Sequence, residues 1–133
     1  MKNWFLATAF MTLSATVGSL ASFPAAAGTA DVVDAAVTME TSTGDEAFYK
    51  FTVTVRHADE GWDHYADAFE VVSPDGTVLG TRVLVHPHVN EQPFTRSLGA
   101  VAIPEGVTEV VIRARDSVHG HGGKTITLAI PQR

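Results

Sequence analysis

The sequence has 133 residues, a formal net charge of −6 and no cysteine. The acidity argues against the basic surface that binding to nucleic acid or anionic lipid requires, and the lack of cysteine excludes disulfides, thiolate iron sites and cysteine-ligated copper. About a hundred residues remain after the leader described next, which is enough for one domain with a single core.

Residues 1–27 have the features of a secretory signal peptide. A short positive segment, Met1-Lys2-Asn3, precedes an apolar run that ends near Ala21, and small residues follow as far as Ala27. We predict cleavage after Ala27, with Ala30 as the alternative position, and therefore a periplasmic or secreted protein. The apolar run is almost long enough to span a bilayer, so a retained membrane anchor is the other interpretation.

Beyond the leader, apolar and polar residues alternate with a period of two, which predicts strands rather than helices. The clearest strand has Tyr49, Phe51, Val53, Val55 and His57 in its inward phase. The predicted strands are residues 31–41, 46–57, 66–72, 77–86, 94–103, 107–116 and 124–130. Turn residues separate the hairpins at 42–45, 73–76 and 104–106. In the first strand we predict that one side carries Val33, Ala35, Val37 and Met39, and in the sixth we predict that the inward residues are Val110, Ile112 and Ala114.

Seven short strands with turn signals between them predict an all-β protein, a two-sheet Greek-key sandwich. One stretch resembles the penultimate strand of bacterial immunoglobulin-like and fibronectin-type-III-like domains of envelope proteins: it is Val107-Thr108-Glu109-Val110-Val111-Ile112-Arg113-Ala114-Arg115-Asp116, followed by a glycine-rich loop. The resemblance implies a single immunoglobulin-like β-sandwich of about seven strands over residues 28–133. This sequence lacks the cysteine pair and core tryptophan of antibody domains. The resemblance implies no particular function.

In an immunoglobulin-like strand order, the connections after the second, fourth and sixth strands emerge at the same end of the sandwich. The turns at the opposite end contain no histidine. All the histidines of the sequence lie in or beside the three connections at the first end: His57, His64, His86, His88, His119 and His121. We therefore expect a histidine cluster at one end of the domain.

Imidazole is the commonest metal ligand, and residues two apart on a strand point to one side. His86 and His88 have this spacing in a predicted strand, and Pro87 between them needs no ladder donor. We predict a metal site formed by His86, His88 and His119, followed by His64. Further candidates are His57, His121, Asp63 and Glu91. Imidazole with a carboxylate or water suits Zn(II) or Cu(II).

Several of these residues also have structural interpretations. His57, at the last inward position of its strand, would be a hydrogen-bonded residue at the edge of the core. His64 would pack within its loop, and His121 would be solvated at a glycine-rich tip. Asp63 and Asp116 would accept hydrogen bonds in a turn or at a strand end.

The main functional hypothesis is an exported module that holds or delivers Zn(II) or Cu(II), whose partners are the metal ion and an envelope protein. The alternative is an accessory domain that recognises a protein or glycan through Trp62, Tyr65 and Arg82, since aromatic and arginine side chains are the usual anchors. An enzymatic function stays open. The sequence has no nucleophile elbow and no spaced carboxylate pair, so a metal-bound water would be the route to hydrolysis.

Overall fold

The computed structural model describes residues 28–133, which form seven β-strands and no helix. The all-β prediction is therefore confirmed for this part of the chain, whereas the predicted signal peptide lies outside the described residues. Among residues 28–133 there is no helix with the length and hydrophobicity needed to cross a membrane. The strands are β1 (Asp31–Thr43), β2 (Glu46–Arg56), β3 (Ala66–Val72), β4 (Val78–Val83), β5 (Phe94–Ala102), β6 (Glu109–Asp116) and β7 (Ile126–Ala129).

The strands form two antiparallel sheets. The three-stranded sheet has the order β1-β2-β5, and the four-stranded sheet has the order β4-β3-β6-β7. The chain therefore crosses from one sheet to the other after β2, after β4 and after β5. The first two crossings and the β6–β7 connection carry the histidines of the described residues.

The core consists of the inward-facing residues of the two sheets. In β2 the predicted alternation is confirmed, because Tyr49, Phe51, Val53 and Val55 are at most 1% exposed. In β6 the predicted inward residues are likewise buried. Burial of these side chains removes apolar surface from water, which stabilises the fold by about 25 cal/mol per Å² of buried surface. The residues that face β2 across the core include Phe69, Val71, Val110 and Ile112, all fully buried.

A β-bulge changes the inward face of β1. The register with β2 shifts between Val32 and Asp34, so one residue has no partner and the alternation changes phase. Val32 is buried and Val33 is 36% exposed, so the prediction that Val33 shares one side with Ala35, Val37 and Met39 is wrong. Beyond the bulge Ala35, Val37 and Met39 share one side, as predicted, and this side packs against the core.

Strand β4 ends at Val83, so the prediction that His86 and His88 continue this strand is wrong. Val83 pairs with Ala68, and the backbone N–H of Leu84 donates to the carbonyl of Asp67 at 2.8 Å. The side chain of Leu84 then turns into the core while Val83 remains exposed. Because the chain leaves the sheet here to reach β5, the two histidines lie in a connection, where strand alternation no longer applies.

Candidate metal centre

The carboxylate of Asp116 lies fully buried at the histidine-bearing end of the sandwich. Asp116 is the last residue of β6, and its backbone N–H and carbonyl both pair with Gly120 at 3.0 Å. Within this tight turn, Oδ1 of Asp116 accepts hydrogen bonds from the backbone N–H groups of Val118 and His119. Oδ1 therefore closes the turn, as aspartates commonly do, and Oδ2 is left to face other side chains.

Three imidazole nitrogens converge on Oδ2 of Asp116. Nε2 of His57 lies at 2.8 Å, Nε2 of His64 at 2.6 Å and Nδ1 of His119 at 3.0 Å. A carboxylate oxygen has about two lone pairs, so it cannot accept three hydrogen bonds with good geometry. A cation shared by the nitrogens and the oxygen would satisfy all four atoms. Within residues 28–133, one group of three or more potential ligands has all its ligand atoms within 4.8 Å of one another, namely His57, His64 and Asp116.

The connection between β2 and β3 supplies two of the imidazoles. His57 follows directly after β2 in its inward phase, so the strand itself directs the ring into the end of the core. A turn at Gly61, whose φ is 109°, then reverses the chain. In this turn the N–H of Glu60 donates to the carbonyl of His64, and the N–H of His64 donates to the carbonyl of Gly61. The His64 ring thereby returns to the His57 ring, with 4.8 Å between their centroids.

Asp59 fixes the orientation of His57. Its Oδ1 lies 2.5 Å from Nδ1 of His57, and both side chains are fully buried. Asp59 also accepts hydrogen bonds from the backbone N–H groups of Ala66 and His88, at 3.0 Å and 2.7 Å. Because Nδ1–H of His57 donates to Asp59, Nε2 faces Asp116. A carboxylate that orients a histidine in this way is typical of metal-ligating histidines.

The carboxylates of Asp59 and Asp116 are both buried. They require nearby positive charge, because an isolated buried anion is costly. The hydrogen bond to Asp116 raises the pKa of His64, and burial only partly opposes this. Burial alone would raise the pKa of Asp116, but hydrogen bonds from the backbone and side chain of His119 and from His64 and His57 hold that pKa well below its usual range. Asp116 is therefore an ionised carboxylate, the form that binds metal.

Of the four preferred ligands from the sequence, the structure brings His64 and His119 together, with 5.0 Å between their ring centroids. The side chain of His119 is 45% exposed. The three histidine-bearing connections meet at one end. Asp59 accepts a hydrogen bond from the backbone N–H of His88, and Asp116 contacts the rings of His57 and His64.

His86 and His88 form a different pair within the β4–β5 connection, with 4.5 Å between ring centroids. The His88 ring stacks on Phe94 at 4.0 Å, and its Nε2 accepts a hydrogen bond from Nη2 of Arg96 at 2.9 Å. Burial and the Arg96 charge lower the pKa of His88, so its ring is neutral. The pair is not part of the close group around Asp116.

The remaining candidates have other neighbours. His121 lies on the outer face of the four-stranded sheet, where its Nε2 is 3.1 Å from Oε1 of Glu70. Arg113 donates twice to Oε2 of the same glutamate, at 2.9 Å and 2.7 Å. Glu91 pairs with Arg96, and Asp63 is exposed. These residues are not among the close group around Asp116.

The sequence predicts His57 only as a further candidate ligand, and Asp116 as a hydrogen-bond acceptor at a strand end. Strand phase was the signal that could have identified both. Counting in twos from Tyr49 along β2 leads to His57, and counting in twos from Val110 along β6 leads to Asp116. His57 therefore occupies the next inward position after β2, and Asp116 occupies the last inward position of β6, at the same end of the sandwich.

Comparison with known proteins gives one informative match. The chain is 42% identical over 99 residues to a protein of Halomicrobium mukohataei named "Putative lipoprotein". The match covers 74% of this chain and 46% of the relative, so the chain spans about half the length of the curated relative it matches. No family model matches the chain, and no solved structure matches it.

The Glu70 site away from Asp116 gives a pH prediction. Burial would raise the pKa of Glu70, but Arg113 and His121 lower it below the ordinary value of 4.5. The interactions of ionised Glu70 therefore stabilise the folded state fully above about pH 4.5. This stabilisation is lost as the pH falls through the folded-state pKa of Glu70. Denaturant titrations should show that Glu70→Gln lowers the free energy of unfolding at pH 7 by on the order of 1 kcal/mol. This difference should shrink towards zero in acid.

The matched control for this pH series is Glu105→Gln, in the exposed turn before β6. It should change the free energy of unfolding by less than about 0.5 kcal/mol at every pH. A Glu70→Gln effect that stayed constant from neutral pH to strong acid would contradict the assignment.

Proposed function

We propose that this chain is an exported β-sandwich protein that holds or delivers a divalent transition metal, Zn(II) or Cu(II). The ligands would be His57, His64 and Asp116, with His119 as the fourth. One observation carries the proposal: three imidazole nitrogens lie within 3.0 Å of a single fully buried carboxylate oxygen. This ligand set differs from the one expected from sequence, since it replaces His86 and His88 with His57 and Asp116.

The chemistry of the donors fits these metals. Imidazole nitrogens with one carboxylate oxygen suit Zn(II), which prefers four ligands, and Cu(II), which binds nitrogen ligands more strongly. Asp59 supplies the carboxylate that supports a ligating histidine. The side chains of His57 and Asp116 have no access to solvent, whereas His119 is half-exposed. An ion would therefore enter the site beside His119.

The setting of the site is also part of the proposal. The sheet orders β1-β2-β5 and β4-β3-β6-β7 fit an immunoglobulin-like Greek-key sandwich. Export to the periplasm or cell exterior is supported by the leader-like residues 1–27 and by the name of the relative, "Putative lipoprotein". An exported metal protein of this kind would acquire its ion outside the cytoplasm, from the medium or from an envelope protein.

Metal binding should raise the melting temperature of the protein, because the ion binds the folded state. At a free Zn(II) or Cu(II) concentration of about 100 times Kd, the stabilisation is about 2.7 kcal/mol. For a domain of this size we expect a shift of roughly 10 °C or more, measured by calorimetry. His64→Gln should abolish most of the shift, since this partly exposed ligand can be changed without opening the core.

Two controls separate the competing ligand sets. His121→Gln removes an imidazole that lies beside Glu70 and should leave the metal-dependent shift intact. The double variant His86→Ala/His88→Ala should also retain it. If the double variant loses the shift while His64→Gln keeps it, the ligands are the β4–β5 pair. If no divalent ion shifts the melting temperature of the wild-type protein, the proposed function is wrong.

Asp59→Asn should weaken metal binding without removing a ligand. The amide cannot accept from Nδ1–H of His57 as strongly as the carboxylate, so the ring is less basic and less firmly oriented. We expect a 10- to 100-fold rise in Kd, about the usual effect of losing such a partner, measured by competition with a chromophoric chelator. Asp63→Asn, on the exposed surface of the same loop, is the control and should bind as wild type.

A second candidate function is recognition of a glycan or protein at the same end of the molecule. The observation in its favour is Trp62, which is 67% exposed and packs edge to face against Tyr65 at 5.8 Å. Exposed aromatic rings are common anchors in recognition surfaces. The third residue expected from sequence, Arg82, donates to the carbonyl of Ser97 at 3.0 Å and is half-buried.

Recognition can be tested with cell-wall polysaccharide in the presence of a chelator. Trp62 is the single tryptophan after residue 27, so its fluorescence reports binding directly in the processed protein. Under this second function Trp62→Ala should raise the Kd, measured by co-sedimentation, by about 30-fold, which corresponds to a 2 kcal/mol anchor. Val118→Ala, an exposed control at the same end, should have little effect. Binding that is absent, or that Trp62→Ala leaves unchanged, would exclude recognition of such a glycan through Trp62.

A further inference from the structure

Gly28 lies inside the histidine cluster. Its carbonyl oxygen is 3.3 Å from Nε2 of His57 and 3.4 Å from Nε2 of His64. A β-carbon built on Gly28 would lie 2.5 Å from Cε1 and 2.9 Å from Nδ1 of His119. The backbone of this residue therefore sits among the three imidazoles, at an approach that only glycine allows.

The segment after Gly28 is held in place by the last connection of the fold. Ala30 is buried, and a β-carbon on Gly123 would overlap the carbonyl oxygen of Ala30. The N–H of Val32 donates to the carbonyl of Lys124 at 2.9 Å, and the N–H of Lys124 donates to Asp31 at 2.7 Å. These contacts hold residues 30–32 against the β6–β7 connection, two residues after Gly28.

The predicted cleavage site lies directly before Gly28. Hydrolysis of the Ala27–Gly28 peptide bond consumes one water, leaves a carboxylate on Ala27 and creates an α-amino group on Gly28. An amide nitrogen is a poor metal ligand, because its lone pair is delocalised into the carbonyl. An α-amine has a free lone pair and a pKa of about 7.7–8.0 in unperturbed peptides, so a metal ion can displace its proton near neutral pH.

We propose that the α-amino group of Gly28, released by signal-peptide cleavage, is an additional ligand of the metal centre. This inference rests on the proposed function and on cleavage after Ala27. The amine and the carbonyl oxygen of one residue lie within roughly 4 Å of each other by covalent geometry, so both can face the same ion and close a five-membered chelate ring. Processing would then complete the site, and the unprocessed precursor would bind metal more weakly.

The experiment uses protein exported through its own leader from cells grown with nitrogen-15 glycine. Intact mass should show a chain that begins at an unmodified Gly28. After addition of one equivalent of Cu(II), pulsed electron paramagnetic resonance should show a strongly coupled nitrogen-15 beside the imidazole nitrogens. A chain that begins elsewhere, an amine that carries a lipid or acyl group, or a spectrum without strongly coupled nitrogen-15 would overturn the inference.

A matched pair of full-length insertion variants tests the same point by affinity. One additional glycine between Ala27 and Gly28 turns the Gly28 nitrogen into an amide and moves the amine out of the cluster. This variant should bind Cu(II) at least about tenfold more weakly and lose the original nitrogen-15 coupling. One additional glycine after Gly106, in an exposed turn at the opposite end, should bind as the parent does.

The outcomes distinguish the two proposals. If Cu(II) and Zn(II) fail to bind the parent protein at all, the histidine site itself is wrong. If they bind with His64-dependent affinity and the insertion before Gly28 changes neither the affinity nor the spectrum, the histidine site stands and the amine is not a ligand.

Discussion

The carboxylate of Asp116 is the group on which this end of the protein depends. It is fully buried, and it is reached by imidazoles from two connections and by backbone N–H groups of its own turn. A buried charge without such partners would cost several kcal/mol, so the loops must close around it for the fold to be stable. The 116–120 turn and the 57–65 loop supply these partners.

Rigid strands place the two central residues, and loops add the others. His57 extends β2 and Asp116 ends β6, strands that belong to different sheets and face each other across the core. Their separation is therefore set by the packing distance of the sandwich rather than by loop conformation. His64 and His119 come from turns that fold back over this pair. A site with this construction is preorganised at its base and adaptable at its surface.

The sequence predicts the structure correctly where one local rule decides the conformation. Alternation with a period of two predicted the all-β class and the buried residues of β2 and β6, and the proximity of the three connections followed from strand order. The prediction failed where tertiary contacts decided. Strand β4 ends before Leu84, which turns into the core. The spacing of His86 and His88 therefore no longer predicts that their side chains share a face. The contribution of Gly28 was not visible either, because its contacts join residues far apart in the chain.

The uneven solvent exposure of the imidazoles has a kinetic consequence for the proposed centre. His57 is sealed in the interior, whereas His119 is half-exposed at the rim. An ion held by both would leave by releasing the rim donor first, and an incoming acceptor could take that vacated position before the interior donors let go. Transfer could thus proceed by stepwise ligand exchange, with the ion never free in solution, and its direction would be set by the relative affinity of donor and acceptor rather than by the lifetime of the bound state.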